Sequence, residues 1–244
     1  ASGRLYGAGT SGGICPTHGG RTKYLVLSLG WLVLIQAAEV CKNIVLAGIG
    51  GLTLWDEAVV ADVYAGNFLV PHVAEGIGSS KLVAEVMAES LREMNPMVPI
   101  NFVKGRVATV TEATLESFQA VVLACSSFTE QIRIDQLCRN KGIAFYAMET
   151  RASFSYFFAD LGHHMYAVDV KNGDEESTLT EQRTATFPSL ATVLEQASAK
   201  LPKRTHHGVY LLQVSCRAIL DSQCERFTST VSDFSNLECR RWHL

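Results

Sequence analysis

The sequence predicts an α/β fold, a Rossmann-like and mostly parallel sheet with helices on both faces. Strand-like apolar segments alternate with helical segments of about ten to sixteen residues, which is the pattern of βαβ units. The segment "FQAVVLAC" is continuously apolar, as expected for a central parallel strand that is buried on both faces. "FSYFFADLG" and "HHMYAVDV" follow each other without a helix between them, which predicts antiparallel edge strands.

The first half of the chain alternates between strands and helices. The apolar run Tyr24–Ile35 predicts a buried strand with the turn after it, and "AAEVCKNIVLAG" predicts a helix that Gly48 ends. "GLTLWD" predicts a short buried strand that ends on an acid. Apolar residues at helical spacing predict the next helix from about Ser79 to Met94, where an Asn-Pro pair stops it.

The second half continues this alternation and then changes. "VPINFVKG", "FQAVVLAC" and "IAFYAME" predict strands, and "TEQIRIDQLCRNKG" predicts a helix that ends at Gly142. After the two consecutive strands, "KNGDEESTLTEQ" predicts a polar linker. "FPSLATVLEQASAKL" predicts a helix capped by Ser189 or an earlier residue, and "GVYLLQVSCRAIL" predicts another helix.

The composition argues against several classes of protein. The 244 residues are 48% hydrophobic, which suits a sizeable core, and the net charge of −3 offers no basic surface for nucleic acid. The longest apolar run is shorter than the roughly 20 residues of a membrane-spanning helix. No signal-peptide pattern opens the sequence, so we expect a soluble intracellular protein.

The cysteines and histidines do not form a metal-binding pattern. None of the seven cysteines belongs to a C-x-x-C pair, and Cys41, Cys125 and Cys138 are expected to be free buried thiols. His163 and His206 each begin a pair of adjacent histidines. Adjacent side chains of a strand point to opposite faces, so we expect no metal site at either pair.

The order of strand, helix, strand and acid over residues 24–56 is the layout of a dinucleotide-binding βαβ unit. Such a unit needs glycines after its first strand so that backbone N–H groups can approach phosphates. Gly30 is the one glycine at this turn, and the bulky residues Trp31, Leu32 and Val33 follow it. We therefore expect no working phosphate loop.

One family of enzymes has similar segments in the same order. The resemblance is to the ThiF/MoeB-type adenylation fold of ubiquitin-like-protein-activating enzymes, and it rests on "AAEVCKNIVLAGIGGLTLWD", "GNFLV", "IGSSKLVAEVMAESLREMNPMV", "FQAVVLACSSFTEQIRIDQLCRNKGIAFYAME" and "FADLG". Within the family, "KNIVLAGIGGLTLWD", "NPMV" and "THHGVYLLQV" are most similar to the small, Aos-type subunits of SUMO-activating heterodimers. The resemblance extends from Ala37 to about Leu220.

This resemblance implies a function that is shared between two subunits. Enzymes of the family use ATP and magnesium to adenylate the C-terminal glycine of a small modifier protein, which then passes to a cysteine as a thioester. In the heterodimers, the complete ATP site and that cysteine belong to the large, Uba-type subunit. The resemblance therefore implies a non-catalytic partner in protein sumoylation, located in the nucleus and cytoplasm, with no cofactor expected in this chain alone.

Two residues match the family's ATP site. Asp56 matches the aspartate that bonds the ribose hydroxyls, and its alternative role is a helix cap or a solvated strand end. Lys81 in "GSSK" matches a basic residue that contacts phosphate, and its alternative role is a solvated lysine in the first helical turn. The resemblance makes both residues vestigial cofactor-binding positions.

Other positions of that site depart from the catalytic relatives. Ala65 and Gly66 stand in place of an Asn-Arg pair, and glycine cannot replace a charge-stabilising guanidinium. Ser127 stands in place of the magnesium aspartate, and a neutral hydroxyl is a weaker magnesium ligand than a carboxylate. Cys15 lacks the surroundings of a thioester cysteine. We therefore expect no catalytic residue and no metal ligand in this chain.

The resemblance also divides the chain. It predicts an atypical N-terminal segment, a ThiF-like Rossmann-type domain, a polar linker, a C-terminal helical part of the same fold and an atypical tail, at residues 1–36, 37–170, 171–187, 188–220 and 221–244. Because the amino-acid sequence departs from the family between Gly9 and Gln36, we expect a frameshift or a mis-splice in the gene over this stretch. The fold is also expected to be truncated at its C-terminus, with an unpaired sheet edge and a monomer that needs its partner.

Other interpretations stay open. A regulatory subunit of a NEDD8-type or ubiquitin-type activating enzyme would share these motifs, although the length and the position of "YLLQV" favour the SUMO type. An independent dehydrogenase on a Rossmann-like fold would need the missing glycine loop. An inactive, truncated binding protein is compatible with the unusual ends.

Overall fold

The computed structural model describes residues 22–28, 34–60, 68–70, 81–124, 126–151, 154–171, 178–196 and 208–209. In chain order their elements are β1 (Lys23–Ser28), α1 (Leu34–Leu46), β2 (Gly51–Trp55), α2 (Val83–Met94), β3 (Ile100–Val103), α3 (Glu112–Leu115), β4 (Ala120–Ala124), α4 (Phe128–Lys141), β5 (Ala144–Arg151), β6 (Phe154–Asp160), β7 (His163–Lys171), β8 (Thr178–Thr186) and α5 (Leu190–Gln196). Every predicted strand and helix that falls within these residues is present.

A six-stranded sheet forms the centre of the fold, in the order β3-β2-β1-β4-β5-β6. The neighbours from β3 to β5 are parallel, and β6 runs antiparallel to β5 at the edge. This confirms the prediction of a mostly parallel sheet with an antiparallel edge for β6, whereas β7, the second of the predicted edge strands, pairs with β8 outside this sheet. The strand order reverses between β1 and β4, and ligands of open α/β sheets bind at the carboxyl ends of strands at such a point.

Helices cover both faces of this sheet, as predicted. On one face, α1 and α2 bury Cys41 and Leu91 against Val26 and Leu54. On the other face, Ile134 and Cys138 of α4 share a second core with strand residues such as Leu25, Leu123 and Phe145. Successive residues of β1 and β4 alternate between the two cores, which explains why these central strands are apolar throughout.

Local sequence signals position the helix ends. Ser127 caps the start of α4, and Gly142 ends it in the left-handed conformation at a φ of 66°. Helix α2 stops at Asn95, whose side-chain amide donates a hydrogen bond of 2.9 Å to the carbonyl of Val45 at the end of α1. The predicted start of α2 is corrected, because Leu82 is extended and forms a β-bridge with Val59.

The strands correct one predicted segment and agree with another. The expected polar linker over 171–187 contains β8, which pairs with β7 in a separate antiparallel sheet. Threonines at every second position near both ends of Thr178–Thr186 favour a strand, and the acidic composition of the segment concealed that signal. Within the segment 1–36, the predicted buried strand is present as β1, which occupies the middle of the sheet.

The chain divides into two compact units, Ala1–Val193 and Leu194–Leu244. The sheet and helices α1 to α4 belong to the first unit. In the second unit the described residues are 194–196, at the end of α5, and the helical pair Gly208–Val209, so most of the predicted helix "GVYLLQVSCRAIL" lies outside them. None of the described helices has the length and apolar character needed to cross a membrane.

Candidate functional site

The described positions of the family's ATP site lie after two parallel strands and before one helix. Asp56 comes directly after β2, and Ser127 lies three residues after the end of β4. Lys81 precedes α2. The other positions considered in the sequence, Gly30, Ala65, Gly66, Cys15, Cys125 and His206, lie outside the described residues.

The Asp56 carboxyl group is buried, with 3% of the residue exposed. Its Oδ1 atom accepts a hydrogen bond of 2.5 Å from the backbone N–H of Ala58, so the side chain closes a turn within its own segment. Burial is inconsistent with the solvated strand end that the sequence left open. Gly105 packs closely against the neighbouring Trp55 side chain. A Cβ atom at this position would lie 2.5 Å from the indole nitrogen, so a larger residue would clash there.

Beside Asp56, the described side chains enclose very little space. The cavity has a volume of about 10 Å³, and the carboxylate shares it with Val26, Ala37, Leu54, Trp55, Ala84 and Met87. This is about the space of a single water molecule, whereas small-molecule sites usually measure about 300 Å³ or more. The described side chains of α1, α2, β1 and β2 therefore leave space for about one water molecule in this cavity.

Lys81 forms an ion pair at the surface. Its Nζ atom lies 3.2 Å from Oε1 of Glu89, and the two side chains are 42% and 49% exposed. Its carbonyl accepts a hydrogen bond of 2.9 Å from the N–H of Val60. Because Lys81 lies before α2 rather than in its first turn, the expectation of a first-turn lysine is corrected.

Ser127 is a helix cap. Its hydroxyl accepts a hydrogen bond of 3.3 Å from the N–H of Glu130, which satisfies one of the free donors at the start of α4. In the next turn, the Gln131 amide donates to the carbonyl of Ser126 at 2.7 Å and to Glu149 at 3.3 Å. Side chains that follow β4 are thus used to join α4 to β5.

These contacts test whether the described residues fit ATP and magnesium. The ribose position, Asp56, bonds a backbone amide, and the phosphate position, Lys81, pairs with an acid. The metal position holds a hydroxyl that caps a helix. Each group already has a partner within a few residues or across one helix, so all three described positions have structural contacts of their own.

Two described cysteines match the prediction of free buried thiols. Cys41 and Cys138 are buried, and neither forms a disulfide bond. Burial raises the pKa of the Cys41 thiol to about 12, and burial also raises the pKa of the Cys138 thiol. A thiol must ionise to act as a nucleophile, so neither cysteine is suited to hold a thioester.

The buried face of α4 carries polar side chains that no sequence motif indicated. Gln131 and Asp135 lie on the same face as Ile134 and Cys138, and all four are buried. Asp135 meets Arg139 of its own helix and Asp160 of β6. Their spacing was an available signal. Gln131 and Asp135 are four residues apart, which places an amide and an acid within the apolar stripe of the helix.

Comparison with known proteins agrees with this architecture. The model of the ThiF family matches residues 38–192. The chain belongs to the ThiF family. It is 34% identical over 215 residues to SUMO-activating enzyme subunit 1B-1 of Arabidopsis thaliana, an alignment that covers 86% of this chain and 62% of that protein.

More distant relatives widen the comparison. SUMO-activating enzyme subunit 1 of Bos taurus is 28% identical over 225 residues, covering 82% of this chain and 64% of the relative. Ubiquitin-like modifier-activating enzyme 1 of Homo sapiens is 32% identical over 161 residues, covering 65% of this chain and 14% of the relative. The chain thus spans between 54% and 64% of the length of SUMO-type relatives such as these, the lowest share being that of SUMO-activating enzyme subunit 1A of Arabidopsis thaliana.

Proposed function

We propose that this ThiF-family chain acts as the small, non-catalytic subunit of a heterodimeric SUMO-activating enzyme. The observation that supports this role best is the use of Ser127, at the family's magnesium position, as the cap of α4. The similarity to proteins named SUMO-activating enzyme subunit 1 supports the choice of complex. In this proposal the subunit works in protein sumoylation, in the nucleus and cytoplasm.

The proposed division of labour follows from the contacts at the three matched positions. Asp56 and Lys81 are vestigial, because one closes a turn and the other pairs with Glu89. The large, Uba-type subunit would bind ATP and magnesium, and it would adenylate the modifier and hold the thioester. This chain would contribute the surface that completes the large subunit, and it would contact the modifier only through the complex.

A ubiquitin-type activating enzyme is the second candidate. The observation that favours it is the 32% identity to ubiquitin-like modifier-activating enzyme 1 over 161 residues. A regulatory role in either complex would use the same described residues in the same way. The identity of the modifier therefore decides between the two candidates.

A reconstitution tests both candidates. The chain would be co-expressed with the large SUMO-activating subunit of the same organism and purified through a tag on this chain. ATP, magnesium and either SUMO or ubiquitin would then be added, and the thioester on the large subunit would be followed on non-reducing gels. We expect copurification, and a thioester with SUMO that disappears when this chain is omitted.

Other outcomes separate the alternatives. A thioester that forms with ubiquitin and not with SUMO, using the matching large subunit, would replace the first candidate by the second. Failure of the chain to copurify with either large subunit would contradict the subunit role and favour an inactive binding protein. A thioester on this chain itself would contradict its non-catalytic assignment.

A further inference from the structure

Three ionisable side chains meet where α4 packs against β6 and the segment before α5. Asp135 and Arg139 lie one turn apart on α4, and Asp160 ends β6. The two acids are almost completely buried, with 1% and 3% of each residue exposed. Buried carboxylates are costly unless each oxygen has a donor, so the partners of this cluster decide how it is charged.

The cluster bonds both ends of the β7–β8 hairpin. Arg139 pairs with Oδ2 of Asp160 through Nη1, and its Nη2 donates to the carbonyl of Phe187 at 3.0 Å. Oδ1 of Asp160 accepts a hydrogen bond of 2.8 Å from the N–H of Gly162. Gly162 and Phe187 flank the hairpin, and the Phe187 N–H donates to the Gly162 carbonyl at 2.8 Å.

The same cluster bonds the start of the next helix. Oδ2 of Asp135 accepts a hydrogen bond of 2.8 Å from the N–H of Leu190, the first residue of α5. Leu190 is itself buried, with 1% exposed. We call Asp135, Arg139 and Asp160 the latch, because together they attach residues 187–190 and the hairpin base to α4.

The donors of the latch account for three of its four carboxyl oxygens. Arg139, Gly162 and Leu190 each provide one hydrogen, as described above. The remaining atom, Oδ1 of Asp135, is buried and has no donor among the residues that the structure describes. The Asp160 carboxyl group interacts with the Asp135 carboxyl group, and the negative charge of Asp160 favours a proton on Asp135. With that proton on Asp135, the latch contains one positive and one negative charge.

The surroundings of Asp135 favour this protonated form. Burial raises the pKa of its carboxyl group to about 7, and the charge of Asp160 on β6 acts in the same direction. The Leu190 N–H and the Arg139 guanidinium oppose this rise. The Cys138 thiol, which also interacts with the pair, stays neutral because burial raises its pKa.

We propose that the Asp135–Asp160 pair holds one proton and makes the attachment of the hairpin base and the start of α5 to α4 sensitive to pH. When the proton is bound, Asp135 donates to Asp160 and accepts from Leu190, so that all four carboxyl oxygens are paired. When it is lost, two buried carboxylates compete for Arg139 and repel each other. Residues 187–190 then loosen, while the six-stranded sheet stays folded.

Hydrogen exchange with mass spectrometry on the full chain tests the latch. Wild type would be compared with Asp135→Asn at about pH 6 and about pH 8.5, after correction for the intrinsic exchange rate. Asparagine can accept from Leu190 and donate to Asp160, so the variant mimics the protonated form and does not titrate. For a peptide over 187–196, we expect protection in wild type to fall about tenfold more than in the variant, since the protonated fraction falls tenfold per pH unit above the pKa.

Two further measurements complete the test. Glu181→Gln, which removes an exposed acid that pairs with Arg183 on β8, should lose protection with pH as wild type does. Equal losses in wild type and Asp135→Asn would overturn the proposal.

If Asp135→Asn does not fold, infrared spectra of the wild type decide, because a protonated-carboxyl band must be present at about pH 6 and lost by about pH 8.5. The absence of that band at about pH 6 would also overturn it.

Discussion

The residues matched to the family's ATP site and the latch on α4 use similar side chains in opposite ways. Asp56 and Ser127 bond backbone groups two and three residues away. Asp135 bonds a residue 55 positions away, and Arg139 bonds one 48 positions away. The inherited positions therefore organise their own turns, whereas the latch joins separate parts of the fold. The side chains that a motif assigns to the ATP site have local structural contacts here, and the latch residues, which no motif marks, connect distant segments.

The largest effect should follow from removing the cation of the latch. Arg139→Met leaves two buried carboxyl groups without their positive partner, and loss of one member of a buried pair typically costs about 3 kcal/mol. We expect a decrease of that order in the free energy of unfolding, measured with urea. Arg183→Met, which breaks an exposed pair with Glu181, should change it by less than about 1 kcal/mol. Equal effects of the two variants would contradict the distinction.

The pH dependence of stability should be the next largest effect. The pKa of Asp135 rises from 3.8 in the unfolded chain to about 7 in the fold, so the folded state binds this proton more tightly. Its stabilising contribution is complete below about pH 4 and is lost as the pH rises through about 7. Between about pH 5 and about pH 8 we expect wild type to lose about 2 kcal/mol relative to Asp135→Asn. Urea titrations that run parallel at all pH values would contradict this assignment.

The cap of α4 should contribute less. Ser127→Ala removes the acceptor for the Glu130 N–H, and loss of an N-cap typically costs about 1 kcal/mol. Ser127→Asp also provides a good cap, so its free energy of unfolding should lie within about 0.5 kcal/mol of wild type. If Ser127→Asp were as unstable as Ser127→Ala in the same urea experiment, the capping role of this residue would be wrong.

The smallest change should come from Lys81. Its pair with Glu89 is exposed on both sides, and such pairs contribute about 0 to 1 kcal/mol. We expect Lys81→Met to alter the free energy of unfolding by less than about 0.5 kcal/mol, and Glu89→Gln to do the same. A loss of several kcal/mol in either variant would mean that this surface has contacts beyond the ion pair.

Much of the fold could be predicted from the sequence because its signals are local. The continuous apolar run of β4 and the glycine that ends α4 each depend on a few neighbouring residues. The strand β8 was missed because its pairing with β7 outweighs a polar composition that is typical of linkers. The start of α2 was misplaced because a bridge between Leu82 and Val59, which lie far apart in sequence, extends the chain there.

The candidate site divides in the same way. Asp56 and Lys81 could be located by motif, but their hydrogen-bond partners could not, because a motif fixes a position in sequence and not a side-chain direction. The latch has no motif, since it depends on the approach of β6 and of residues 187–190 to one face of α4. An acid within an apolar stripe is the part of that arrangement that sequence alone displays.

The most direct test of the central claim is the rate of thioester formation in the copurified complex. The variant would combine Asp56→Asn with Lys81→Met in this chain, and a single turnover on the large subunit would be followed after addition of ATP and modifier. Because both side chains have structural contacts here, we predict a rate within about twofold of wild type. A loss of about a hundredfold in a complex that still copurifies would show that these residues stabilise charge in the reaction, and would contradict the non-catalytic role of this subunit.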